Sequence, residues 1–320
     1  MTNILSEMPD QEILRLVEAL RSLQDGDRAA EKLAACGKRA IPHLANFLLN
    51  TPPRTISLPR CRAVRALGEL GAYSPLIAYF KNYERPQDSA VMFAEDAVRS
   101  EAARMLAECP SAEVFHVLLD AAWQRVTGGL VLALSEFHRP ESVPLLFEIL
   151  EDDLCRTDAM NSLRKAPDAV RQFGLLSIRG LTGVTLEGPS AICRRRATLQ
   201  LLSEVGVFRS DWPDLRRFLF VNDPAAVIAA ARTGLAVANE DEWPEIVLTL
   251  FKVAPHFDSF QEGEVEELMD SYSDLTRKIA LEIVNQKQHS GGGPNWMSPY
   301  WRLLNHASGR ALENRQARAS

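Results

Sequence analysis

PRCRAVRALGELG at 59–71 and VRSEAARMLAECP at 98–110 share one internal grammar. With the first arginine of each at position zero, small or apolar residues recur at offsets 3, 4, 7 and 8, and a helix stop follows at 11. After Arg60 these are Ala63, Val64, Leu67, Gly68 and Gly71; after Arg99 they are Ala102, Ala103, Leu106, Ala107 and Pro110. Such offsets fall on one stripe of a helix at ~3.6 residues per turn, and side chains this small admit a close neighbour. The same register starts again at Arg156, Arg195 and Arg277 and, with the arginine replaced, at Gly26, Thr127 and Ile228. The eight zero positions are 28 to 49 residues apart, about 36 on average.

Behind six of these segments a proline introduces a second apolar run: Pro42, Pro75, Pro144, Pro213, Pro244 and Pro299. Proline fits the first turn of a helix and little else in it, so each unit reads as a helical hairpin. Hairpins at this period stack so that each buries its face on its neighbours. The expected fold is all-α, a right-handed α-solenoid of about eight hairpins over 26–288, preceded by a capping helix within 1–25. Residues 289–320 read as a Gly-rich insertion, a second capping helix and a frayed basic tail.

The arginine followed by small residues, the A-L-G-x-x-G run and the later V-P or W-P resemble the HEAT repeat. Residues 60–76 are most similar to the bacterial subtype called phycobilisome-lyase-type HEAT-like repeats. The resemblance covers roughly 26–316 and implies an armadillo-like helical architecture. For function it implies several classes, since such repeats occur in scaffolds, adaptors, lyases and nucleic-acid binders.

Composition narrows these classes. The 320 residues are 46% hydrophobic and 24% charged, with 36 Lys and Arg against 42 Asp and Glu, a formal net charge of −6. No apolar run approaches the ~18 residues of a membrane span. The N-terminus shows no basic leader with an apolar core, so a cytoplasmic location is expected. Cys36, Cys61, Cys109, Cys155 and Cys193 are odd in number and contain no C-x-x-C pair, which argues against a disulfide framework or a zinc site. Six scattered histidines form no metal motif, and no phosphate loop, dinucleotide fingerprint or nucleophile elbow occurs. The chain reads as a non-enzyme without metal or cofactor.

The zero-position arginines Arg60, Arg99, Arg156, Arg195 and Arg277 read as a structural ladder. Glu95 and Asp96 precede Arg99, Asp152 and Asp153 precede Arg156, and Asp274 precedes Arg277. The HEAT resemblance implies the same acid–arginine ladder between units. Two stretches depart from the repeat: 85–96 (RPQDSAVMFAED) and 178–196 (IRGLTGVTLEGPSAICRRR), both read as loops. The second leads into Arg194, Arg195 and Arg196; with Arg209, Arg216 and Arg217 there are six arginines against Glu204, Asp211 and Asp214, a local charge of +3. Partner-binding candidates are therefore Arg194, Arg196, Arg209, Arg216 and Arg217. Trp212 and Trp243 hold equivalent staple positions before Pro213 and Pro244.

The leading functional expectation is a monomeric scaffold or adaptor that holds a protein or peptide on the concave surface. Two rivals stand beside it. One is nucleic-acid binding through the basic residues around 194–217, against which the pI of about 5.6 argues. The other, implied by the repeat subtype alone, is a phycobilin (tetrapyrrole) lyase-like subunit.

Overall fold

The computed structural model describes residues 8–179, 188–288 and 298–309. Among them the chain is all-helical, with eighteen α-helices and no strand. It divides into two compact units, with the boundary between Ala166 and Pro167.

The first unit holds α1 (Asp10–Ala19), α2 (Gly26–Ala35), α3 (Ile41–Asn50), α4 (Leu58–Glu69), α5 (Tyr73–Lys81), α6 (Ser89–Ala107), α7 (Ala112–Gln124), α8 (Gly128–Glu136), α9 (Val143–Ile149) and α10 (Arg156–Arg164). The even-numbered helices carry the zero-position stripe, and each packs on the next even one, from α2 through α10. They lie parallel and in register: a Cβ added to Gly26 would meet Arg62, one on Gly68 would meet Met105, and one on Gly128 would meet Asp158. Backbone approaches backbone most closely at Gly129, where an added Cβ would fall 2.4 Å from Ser100 Cα, so only hydrogen fits. The offset residues form the core, with Ala63, Val64, Leu67, Ala102, Ala103, Leu106, Leu130, Val131 and Leu134 all at 0% exposure. Each fully buried leucine among them contributes roughly 1.5–3 kcal/mol. The odd helices α3, α5 and α7 pack in series beside this layer, and α1 covers α2 and α3.

Helix starts follow local chemistry. Pro42 and Pro144 occupy the second positions of α3 and α9, where a missing amide costs nothing. Ser111 caps α7, its hydroxyl accepting from the Val114 amide at 3.1 Å. The expected loop at 85–96 is corrected by the same chemistry. The Asp88 carboxylate accepts from the amides of Ala90 at 2.7 Å and Val91 at 3.2 Å, and a 19-residue helix runs on from Ser89.

The second unit holds α11 (Pro167–Arg179), α12 (Pro189–Val205), α13 (Trp212–Arg216), α14 (Pro224–Val237), α15 (Trp243–Val253), α16 (Ser259–Ser271), α17 (Ser273–Gln288) and α18 (Pro299–Ser308). Here α12 packs on α14, α14 on α16, and α16 on α18. Trp212 is 1% exposed, and its ring lies where a side chain on Gly234 would stand. The expected loop at 178–196 is shorter than the sequence implied, because α11 continues to Arg179 and Pro189 opens α12. Residues 180–187, most of the Gly-rich insertion and the basic tail lie outside the described residues.

A second correction concerns the last repeat. The step of 49 residues from Ile228 to Arg277 contains a helix of its own, α16. It occupies the next place beside α14, so α17 packs instead on α15 and α18. The alternation is displaced by one helix, and Arg277 is exposed rather than part of a buried row.

Candidate functional site

Three zero-position arginines are buried: Arg60 at 7%, Arg99 at 0% and Arg195 at 5% exposure. On α4, Arg60 donates to Glu95 of α6 and to the Leu48 carbonyl at 2.9 Å. Tyr79 donates to the other Glu95 oxygen at 2.6 Å. Burial, with the Glu95 charge adding to it, holds the Tyr79 phenol well above its ordinary value. Arg99 has another solution. Its Nη2 donates to the carbonyls of Ala121 at 2.7 Å and Arg125 at 3.2 Å, and its guanidinium lies 4.0 Å from the centroid of the Tyr83 ring. The C-terminal carbonyls of α7 and the ring face supply the negative potential.

Arg156 is half-buried and donates to the Leu150 carbonyl at 2.8 Å and to Asp153 at 2.5 Å. Sequence reasoning missed two further members of this system. Arg62, 1% exposed, forks onto Asp27 at 2.9 and 2.8 Å and reaches the Leu20 and Ser22 carbonyls. Arg125 forks onto Asp96 at 2.6 and 2.5 Å. A shared device emerges: carbonyls at the C-terminal ends of α1, α3, α7 and α9, where the backbone ladder runs out of donors, accept from Arg62, Arg60, Arg99 and Arg156.

Three of the five partner-binding candidates of the second unit, Arg196, Arg209 and Arg216, are engaged by acids. Arg195 reaches Asp223 at 2.9 Å and Arg196 reaches it at 3.0 Å. Arg209 pairs with Glu242, and Arg216 with Glu245. Arg217 donates to the Ile178 carbonyl at the end of α11, and Arg194 sits half-buried on α12. Burial raises the Asp223 carboxyl, but the hydrogen bonds from Arg196 and Arg195 outweigh it, and the group titrates below its ordinary value. Asp223, Glu242 and Glu245 fall outside the segment whose charge suggested a basic patch. Arg196, Arg209 and Arg216 therefore form intramolecular pairs. Trp212 joins the same network, its indole donating to Glu242 at 3.0 Å.

A different region has unsatisfied surface. In the first unit a groove of 480 Å³ runs along the N-terminal ends of α6, α8 and α10, lined among others by Phe93, Ser100, Arg125, Thr127, Asp152 and Leu154. Phe93 is 62% and Leu154 88% exposed. The lining carries Asp96 and Asp152 against Arg125, a local charge of −1. Asp152 fixes the rim, accepting from the amides of Leu154 at 2.8 Å and Cys155 at 3.1 Å. Burial, then Asp152, Asp158 and Asp96, push the Cys155 thiol up to about 11. It stays protonated at neutral pH and is no nucleophile. Phe93 lies in the stretch 85–96 that departs from the repeat spacing; nothing local marked Leu154.

No protein-family model matches this chain, and no curated protein does. Among the described residues no helix is long and apolar enough to cross a membrane, and no three His, Cys, Asp or Glu side chains are grouped to hold a metal.

Proposed function

We propose that this chain is a non-enzymatic scaffold of HEAT-like hairpins, stacked as a solenoid, that holds an apolar and basic segment of a partner protein. The observation that carries this reading is the groove of the first unit, with Phe93 and Leu154 exposed above a floor of net negative charge. Exposed apolar side chains in a concave, charged setting are the usual mark of a segment-binding surface. The parallel, in-register packing of α2, α4, α6, α8 and α10 supports the solenoid part of the reading, because it repeats one contact from hairpin to hairpin. Nucleic-acid binding is the weaker reading, because Arg196, Arg209 and Arg216 already face carboxylates.

Fluorescence anisotropy tests this with three labelled probes: a short peptide of leucine and lysine, its leucine and glutamate counterpart, and single-stranded DNA. Saturable, salt-sensitive binding of the lysine peptide is expected, weakened about tenfold or more by Phe93→Ser with Leu154→Ser. Equal binding of the glutamate peptide, tighter binding of DNA, or an unaffected double variant would overturn the assignment.

A further inference from the structure

A smaller cleft of 140 Å³ lies where the loop 51–57 meets the end of α1, α3 and the start of α4, lined among others by Arg21, Phe47, Pro52, Arg54, Ile56 and Arg60. Its chemistry is mixed in a specific way. The wall is apolar, with Phe47 5% exposed and Ile56 64% exposed. Three guanidiniums border it, yet two are already compensated. Arg60 is held by Glu95, and Arg21 pairs with Glu18 at 3.2 Å while lying 5.2 Å over the Phe47 ring. Among the described residues no carboxylate pairs with Arg54. The cleft thus offers one uncompensated positive charge beside an apolar wall. Pro52 and Pro53 fix φ in the loop that presents Arg54 and Ile56, which lowers the entropy cost of holding them in place.

We propose that this cleft binds a monoanionic carboxylate attached to an aromatic or branched apolar group. One net charge matches a carboxylate better than a phosphate dianion, and a guanidinium fork matches its two oxygens. The apolar body would stack on the Phe47 and Ile56 wall, in a space close to the ~150 Å³ that accommodates benzene in an engineered cavity. The site stands independently of the scaffold reading, since it shares no lining residue with the groove at Phe93 and Leu154.

Calorimetric titration of the full chain provides the test, with benzoate, benzyl alcohol, acetate and phenyl phosphate as probes. Benzoate is expected to saturate, with benzyl alcohol and acetate at least tenfold weaker, because each lacks one half of the recognised chemistry. Arg54→Ala should weaken benzoate at least tenfold and Ile56→Ser severalfold, both with unchanged helical circular dichroism, as both side chains are exposed. Arg54→Lys should restore part of the affinity. A peptide ending in phenylalanine, compared with its C-terminal amide, separates two sources of the same group. Tighter binding than benzoate that vanishes in the amide identifies a chain terminus; weaker binding identifies a small free acid. Benzyl alcohol equal to benzoate, phenyl phosphate at least tenfold tighter, or benzoate binding indifferent to Arg54→Ala would each overturn the proposal.

Discussion

The arginine-rich stretch of the second unit and the groove of the first differ in a way their sequences hide. Residues 194–217 look cationic, yet Arg195, Arg196, Arg209 and Arg216 each meet an acid further along the chain, at separations of 27 to 33 residues. Phe93 and Leu154 lie far apart in the sequence, and the helices bring them together as exposed apolar side chains beside a surplus of acid. Local charge is therefore a poor guide to surface potential in a chain whose ion-pair partners lie about 30 residues apart. The same separation recurs in the first unit, at 35 residues for Arg60–Glu95 and Arg62–Asp27 and 29 for Arg125–Asp96.

The sharpest way to break the comparison is to remove an acid from a buried pair. Glu95→Ala leaves the Arg60 guanidinium and the Tyr79 hydroxyl buried without their partner. A loss of about 3–5 kcal/mol in chemical denaturation is expected, and Arg60→Met with Glu95→Leu and Tyr79→Phe should recover most of it. A single variant as stable as the parent would show that the pair contributes no net stability.

Next comes Asp223→Asn in the second unit, which keeps the shape and removes the charge that Arg195 and Arg196 share. A cost of about 2–3 kcal/mol is expected at neutral pH. Because the folded Asp223 titrates below its ordinary value, its contribution is complete above roughly pH 5 and is lost as pH falls through the folded value. Denaturation curves of variant and parent should therefore converge in acid. A gap that stays constant down to pH 2 would assign the stability to packing instead.

The groove is expected to behave in the opposite sense. Phe93→Ser and Leu154→Ser remove exposed side chains, so each should change stability by no more than about 0.5 kcal/mol. Together they should cost about 1.4 kcal/mol, or tenfold, in affinity for the basic peptide. A large fall in thermal midpoint with intact binding would recast both residues as packing elements.

Much of the fold was legible because the 3-4-7 spacing is a direct consequence of helix geometry. Ala63, Val64 and Leu67 are buried for the same reason that they stood out. The prolines at the second positions of α3, α9, α13 and α15 were equally readable, since few other places in a helix accept them. The start of α6 was missed because 85–96 lies outside the repeat spacing and reads as a loop, whereas Asp88 within it caps a helix. The site was least legible. Leu154 sits in an exposed turn before α10, and only tertiary packing places it beside Phe93. A search for acids one repeat away from each arginine would have found Asp27, Asp223, Glu242 and Glu245.

Arg277 gives the smallest effect and the cleanest contrast. It shares its sequence context with Arg60, with Ala280 and Val284 buried at offsets 3 and 7 as Ala63 and Leu67 are. What differs is the helix inserted before it. With α16 in the place beside α14, α17 packs on α15, and the zero position turns outward. An exposed arginine in a helix that retains its core contacts has little to lose, so Arg277→Ala should shift stability by no more than about 0.5 kcal/mol. Arg60→Ala, by contrast, removes the donor to Glu95 and to the Leu48 carbonyl and should rank with Glu95→Ala. Thermal midpoints of the two variants, measured side by side, decide whether the repeat register or the packing layer governs the role of a zero-position arginine. Equal losses would mean that register governs; a loss confined to Arg60→Ala would mean that one extra helix is enough to release an arginine from the buried row.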